Sequence, residues 1–107
     1  MSDSSRRIQR NRNISWQMMR ERGQCVDCAL AVTALTRPVF DWDHRDPAEK
    51  RASVSWLVHK GKGVQHVLAE IAKCDLRCAN CHRILSASLE HWRGSARKDT
   101  AASLTLW

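Results

Sequence analysis

Two pairs of cysteines carry the strongest chemical signal in the sequence. Cys25 and Cys28 form one C-x-x-C pair, and Cys78 and Cys81 form another. In a chain without a secretory signal, paired C-x-x-C elements favour zinc over disulfides, and two such pairs supply the four thiolates of a closed tetrahedral site. The spacing therefore predicts structural zinc, with a redox dithiol or a chance pairing as the alternatives. The fifth cysteine, Cys74, falls outside this set.

A second group of side chains stands beside the cysteine pairs. Asp43 and His44 are adjacent in the chain, and Lys73 and His82 flank the second pair. Asp and His are ligands for a divalent metal that keeps open positions, and a histidine beside such a metal can act as a general base on water. Phosphodiester hydrolysis requires such a base together with positive charge on the phosphate. The alternatives are a chance Asp-His dipeptide and a solvated or structural histidine after a zinc cysteine.

The elements that must position these residues are short and mix strands with helices. Apolar and acidic side chains alternate over residues 39–43, which is typical of a strand. Apolar residues between Val64 and Ile71 recur at helical spacing, and Gly23 is a helix stop. The full pattern predicts helices over residues 13–22, 64–71 and 79–92, strands over 39–43 and 74–77, a turn and strand within 29–37, and a polar connection over 48–63.

Length and charge restrict the class of protein. The chain has 107 residues, which favours one small domain. We divide it into a mobile basic arm (1–12), a central domain (13–93) and a C-terminal tail (94–107). Lys and Arg outnumber Asp and Glu by 18 to 11, and the net charge of +7 favours a polyanionic partner such as nucleic acid. No apolar run is long enough for a membrane span, so we expect no membrane partner and a cytoplasmic location.

Taken together, these motifs resemble the HNH endonucleases of the ββα-metal type, in the variety with a structural zinc site that is found in bacteriophages. The resemblance covers residues 24–84. It is carried by the first cysteine pair, by the segment FDWDHRDP at residues 40–47, and by the segment LAEIAKCDLRCANCHR at residues 68–83. The order of the motifs, their spacing and both cysteine pairs agree with that family.

The resemblance implies a fold, an activity and a role for each site residue. The fold is small α+β, with a ββα-metal (HNH) motif, a four-cysteine zinc site and flanking helices. The activity is metal-dependent cleavage of DNA that leaves 5′-phosphate and 3′-hydroxyl ends. His44 matches the general base, and Asp43 and His82 match the ligands of the catalytic ion. Mg²⁺ or Mn²⁺ suits such an open site, and Ni²⁺ or Zn²⁺ can substitute or inhibit.

One position departs from the family pattern. The family has a central Asn that braces the loop carrying the base, and Lys73 stands in that slot here. A lysine can brace the loop through another hydrogen bond, place a charge near phosphate, or mark a weakened enzyme. Asn80, which lies inside the second cysteine pair, is the next candidate for the bracing role.

The expected partner is DNA, and basic residues are the candidates to hold it. Phosphate contacts are expected from Arg45, Arg83 and Lys50, and from the predicted arm through Arg6, Arg7, Arg10 and Arg12. By resemblance alone, a phage protein of this size would act beside the DNA-packaging machinery, with terminase subunits as partners. The alternative is a non-catalytic, zinc-stabilised module on the HNH scaffold that binds DNA or protein.

Overall fold

A two-stranded ribbon surrounded by helices organises the protein. The computed structural model describes residues 2–93, and the predicted tail (94–107) lies outside the described residues. The elements of the described chain are the helices α1 (Asp3–Arg22), α2 (Val54–His59), α3 (Val64–Ile71) and α4 (Ala79–Arg93), the strands β1 (Phe40–His44) and β2 (Cys74–Cys78), and short 3-10 turns at Arg37–Val39 and Pro47–Glu49. A small α+β fold is therefore confirmed.

The first helix begins much earlier than the sequence pattern predicts. The side chain of Ser2 accepts a hydrogen bond from the backbone N–H of Ser5 and caps the helix, and Gly23 ends it in the left-handed region at φ 83°. Asn11 is fully buried, and its amide donates to the backbone carbonyl of Lys62 at 2.9 Å. Residues 3–12, which the sequence predicts as a mobile arm, are helical, and Asn11 joins this polar segment to the rest of the fold.

The ribbon is antiparallel and places the candidate site residues in register. Asp41 pairs with Arg77, Asp43 with Asp75, and His44 with Cys74. Because side chains alternate between the two faces of a strand, Asp41 and Asp43 leave one face of β1 and His44 leaves the other. Both predicted strands are confirmed to within one residue.

Two buried clusters support the ribbon from its two ends. One lies among α2, α3 and the start of β2, and the other surrounds the cysteine pairs; Trp42 packs against both. The members of the first are Val54, Leu57, Val58, Val67, Ile71 and Cys74, and those of the second are Cys25, Phe40, Leu76 and Cys78.

Two segments differ from the sequence prediction. The predicted polar connection over residues 48–63 contains α2, which Ser53 caps and which buries Val54, Leu57 and Val58. The predicted strand within residues 29–37 is reduced to a single bridge between Ala31 and Gln24. Within residues 2–93, none of the helices has the length and apolarity that crossing a membrane requires.

Candidate functional site

The four cysteines of the two C-x-x-C pairs come together in space. One ligand atom from each lies within 4.8 Å of all the others, and the Sγ atoms of Cys28 and Cys78 are 3.7 Å apart. Thiolates that share a tetrahedral zinc at bond lengths near 2.3 Å are separated by about 3.8 Å. The cluster could therefore hold a structural metal such as zinc.

Backbone amides around the cluster favour thiolates. The N–H groups of Asp27 and Cys78 each point at Cys25 Sγ from 3.4 Å. Burial of Cys25 raises its pKa, but backbone hydrogen bonds from Cys28, Cys78 and Asp27 outweigh burial and lower it to about 6. Hydrogen bonding to Cys78, followed by burial, raises the pKa of Cys81 to about 12. Four thiolates this close together repel one another, so a bound cation would stabilise them.

The second candidate site lies on the acidic face of β1, against the first turn of α4. Asp41 Oδ2 is 3.0 Å from His82 Nδ1, and Asp43 Oδ1 is 3.6 Å from His82 Nε2. An ionised carboxylate only accepts hydrogen bonds, so a ring nitrogen of His82 that carries a proton donates to the carboxylate it faces. In the tautomer with the proton on Nδ1, which makes the shorter contact, Asp41 accepts the hydrogen bond and the lone pair of Nε2 faces Asp43. The structure thus brings together the two residues that the sequence predicts as metal ligands.

Arg77 links this site to the cysteine cluster. Its guanidinium is almost fully buried and donates both to Asp43 Oδ2 and to Asp27 Oδ2, the latter at 2.5 Å. Asp27 lies inside the first C-x-x-C pair, so one arginine ties the zinc loop to a candidate ligand of the second site. Sequence reasoning did not identify Arg77; the only available signal was a basic residue on a predicted strand opposite two aspartates.

His44 has a partner that the sequence analysis missed. Its Nε2 lies 2.6 Å from Glu70 Oε2, and both side chains are nearly buried, with 6% and 4% of their surface exposed. Glu70 belongs to α3 and faces the core between Val67 and Ile71. Glu70 lies beside the apolar stripe of Val64, Val67, Leu68 and Ile71, so the sequence carried no clear signal that it is buried.

Further donors hold Glu70 in its ionised form. Burial raises its pKa, but hydrogen bonds from Lys73, from His44 and from the backbone N–H of Arg51 outweigh burial and lower it to about 2. Lys73 Nζ donates to Glu70 Oε1 at 2.9 Å and to the carbonyl of Glu49 at 3.0 Å. Lys73 therefore contacts both the partner of His44 and the loop that follows His44. Its bracing role in catalysis stays a prediction.

His44 and the Asp43–His82 pair are not in contact. They leave opposite faces of β1, and among residues 2–93 no hydrogen bond or ion pair joins them. They do share one end of the ribbon, since Asp43 and His44 are the last two residues of β1. Asn80 is exposed in the first turn of α4.

The predicted phosphate contacts fall into two groups. Arg45 donates to the backbone carbonyl of Cys74 at 2.8 Å and pairs with Asp75 at 3.2 Å, and Arg10 donates to the carbonyl of Lys62, so both guanidiniums already have structural partners. Exposed cations make up the other group. They are Arg6, Arg7, Arg12, Lys50 and Arg83.

A cavity of about 730 Å³ opens between α1, β1 and α2 and reaches the second candidate site, where Asp41 and His82 form part of its wall.

No protein-family model, curated protein or solved structure matches the chain. What the protein does is therefore inferred from its own side chains and their geometry.

The ion pair of Glu70 is expected to make the folded protein sensitive to acid. Its pKa of about 2 lies below the ordinary 4.5, so ionised Glu70 stabilises the fold above about pH 4.5, and this stabilisation is lost as the pH falls from there toward 2. Urea unfolding of the wild type and of Glu70→Gln, measured from pH 6 to pH 3, checks this. The difference between their free energies of unfolding will shrink as the pH falls. Zinc loss in acid lowers the stability of both proteins equally and cancels in the comparison. A difference in the free energy of unfolding that stays constant from pH 6 to pH 3 would contradict the stabilising role of ionised Glu70.

Proposed function

We propose that the protein is a metal-dependent endonuclease of the HNH type, which hydrolyses phosphodiester bonds of DNA. The observation that carries this proposal is the pairing of Asp43 Oδ1 with His82 Nε2 at 3.6 Å, at the end of the strand that carries His44. Two atoms that share a divalent ion at bond lengths near 2.1 Å lie about 3.0 Å apart in octahedral and about 3.4 Å apart in tetrahedral geometry. The pair offers the donor types of a two-ligand ion site, and a small approach of the two side chains would bring them to that spacing.

Asp41 and Arg77 support these two ligands. Asp41 accepts from Nδ1 of His82 and fixes the ring so that Nε2 faces Asp43, an arrangement typical of histidines that bind metals. Arg77 holds Oδ2 of Asp43, which leaves Oδ1 toward His82. When bound, Mg²⁺ or Mn²⁺ would neutralise charge on the scissile phosphate and on the leaving 3′ oxygen.

His44 serves as the general base in this proposal. The carboxylate of Glu70 accepts Nε2–H of His44, so Nδ1 keeps the lone pair that takes a proton from the attacking water. The histidine is oriented by a carboxylate, as in other base-and-orienter pairs. The scissile phosphate would lie at the end of the ribbon, with Asp43 and His82 on one side and His44 on the other.

Titration of Mn²⁺ into the zinc-loaded protein distinguishes the proposed metal ligands from the proposed general base. His82→Ala and Asp43→Ala are expected to weaken binding most, because each removes a ligand atom. Asp41→Asn is expected to weaken it roughly 10- to 100-fold, the usual effect of losing a carboxylate that orients a ligating histidine. His44→Ala is expected to bind Mn²⁺ normally.

Calorimetry measures all four variants, with His66→Ala, an exposed histidine of α3, as the matched control. Should His44→Ala lose the ion while His82→Ala keeps it, the two roles are reversed.

A non-catalytic module that binds DNA or protein is the second candidate. Two observations favour it: Arg77 already neutralises Asp43, and only 6% of the His44 side chain is exposed. Such a module would hold zinc and bind its partner without cutting DNA under any added ion. The phage-packaging role and the terminase partnership implied by the resemblance stay predictions.

A further inference from the structure

The cavity beside the second candidate site has an uneven distribution of charge. Three cations, Arg12, Arg37 and Lys50, line it, and Asp41 is the single carboxylate among the described lining residues. Asp41 contacts His82 and marks where the cavity meets the proposed ion site. The other charged side chains of the described wall are therefore cationic.

Aromatic rings form another part of the same wall. Trp16 projects from α1, and the guanidiniums of Arg37 and Arg20 lie 5.0 Å and 5.3 Å from the centroid of its ring, so a base would stack on the ring in place of a guanidinium or on a guanidinium itself. Trp42 also lines the cavity from β1, but its ring packs against both buried clusters and lies 5.2 Å from the guanidinium of Arg22, so Trp16 is the ring that the cavity offers for stacking. A positively charged groove with aromatic side chains is the usual combination for nucleic acid whose bases are unpaired, because phosphates meet the cations and bases stack on the rings.

We propose that this cavity binds an unpaired, single-stranded segment of nucleic acid next to the scissile phosphate. The inference rests on the proposed function, and it adds the form of the substrate. A cavity of about 730 Å³ holds a ligand of drug size, which corresponds to about one or two nucleotides. A paired base is stacked inside its duplex and can enter such a cavity only after it has been unpaired. The protein thus selects substrates with an unpaired stretch beside the cleavage point.

Two sets of variants test the binding, each with a matched control. Trp16→Leu removes the ring in the cavity, and Trp56→Leu removes a tryptophan of α2 that is 46% exposed and outside it. The double variant Arg12→Gln/Lys50→Gln removes two cations of the wall. Arg51→Gln/Lys60→Gln removes two exposed cations that do not line it.

The measurement is fluorescence anisotropy of a labelled oligodeoxynucleotide of about 12 nucleotides, a length within the range of single-strand sites. The same sequence in a duplex is measured beside it. The zinc-loaded protein is used without added Mg²⁺ or Mn²⁺, so binding is read without cleavage. Circular dichroism verifies that each variant keeps its helices.

Single strands are expected to bind more tightly than the duplex. Trp16→Leu is expected to weaken single-strand binding roughly 5- to 150-fold, the effect of losing one stacked base, while Trp56→Leu leaves it unchanged. Arg12→Gln/Lys50→Gln is expected to reduce the slope of log K against log salt by about 1.4, because each phosphate contact on a single strand contributes about 0.7. The control double variant is expected to keep the wild-type slope.

Three results would overturn the inference: tighter binding of the duplex, equal effects of the cavity and control variants, or no binding of either DNA. Each is distinct from failure of the proposed function. A protein that nicks DNA but shows one of these results is a nuclease whose substrate lies elsewhere. A protein that binds single strands through the cavity but never cuts supports the cavity and refutes the nuclease.

Discussion

Cys78→Ser is expected to abolish the cooperative unfolding of the protein. Cys78 is 4% exposed and belongs to the same buried cluster as Phe40 and Leu76, so loss of the metal also loosens the core at that end of the ribbon. Structural zinc contributes on the order of 10 kcal/mol to folding, and a domain of this size has a total stability of only about 5 to 15 kcal/mol. Thermal unfolding followed by circular dichroism should show a cooperative transition for the wild type and none for the variant.

Cys74→Ser is the matched control for this experiment. Cys74 is also buried, but it does not belong to the group of four cysteines that could hold the metal. Its Sγ donates to the carbonyl of Glu70 at 3.2 Å. A serine hydroxyl can make the same hydrogen bond, so this variant should retain one zinc per chain and unfold cooperatively. A metal-free chain that melts cooperatively at the wild-type temperature would contradict the structural role of the metal.

His44→Ala is expected to reduce DNA cleavage by about 10²- to 10⁴-fold, the usual effect of removing a general base. The fold should survive, because Glu70 keeps its hydrogen bonds from Lys73 and from the backbone of Arg51. Glu70→Gln should reduce cleavage less, since the glutamine oxygen can still accept from His44 but supplies no negative charge. Single-turnover rates at saturating Mn²⁺ measure both effects, and His66→Ala should cut at the wild-type rate.

The comparison with Glu70→Gln makes the assignment of His44 specific. If Glu70→Gln cuts at the wild-type rate while His44→Ala is inactive, His44 acts without the help of Glu70. If His44→Ala itself cuts at the wild-type rate, the general base is another residue.

Sequence periodicity was sufficient for the elements whose side chains alternate or recur regularly. Residues 39–43 and the span from Val64 to Ile71 are examples, because each turns one apolar face toward the buried clusters. The first half of α1 could not be predicted in this way. Its residues are polar and basic, and the helix there is held by Asn11, which donates to backbone carbonyls of Leu57 and Lys62 far along the chain.

The candidate sites likewise differ in how far the sequence predicts them: local spacings are visible in the sequence, and long-range contacts are not. The cysteine cluster depends on short spacings within each pair, and the sequence shows these directly. The contacts of His44 with Glu70, and of Arg77 with Asp27 and Asp43, join residues that are distant in the chain. Such contacts depend on how α3, the first cysteine loop and the ribbon pack together, so the sequence alone identified neither the burial of Glu70 nor the partners of Arg77.

Conversion of supercoiled plasmid to nicked or linear DNA tests the central claim most directly. Zinc-loaded wild type is incubated with the plasmid with no added ion, with Mg²⁺ and with Mn²⁺, beside His82→Ala and His66→Ala. We expect cutting by the wild type and by His66→Ala only when Mg²⁺ or Mn²⁺ is present, and little or no cutting by His82→Ala except at high Mn²⁺. Wild-type protein that leaves the plasmid supercoiled under both ions, or His82→Ala that cuts as fast as wild type without added ion, would contradict a nuclease site built on Asp43 and His82.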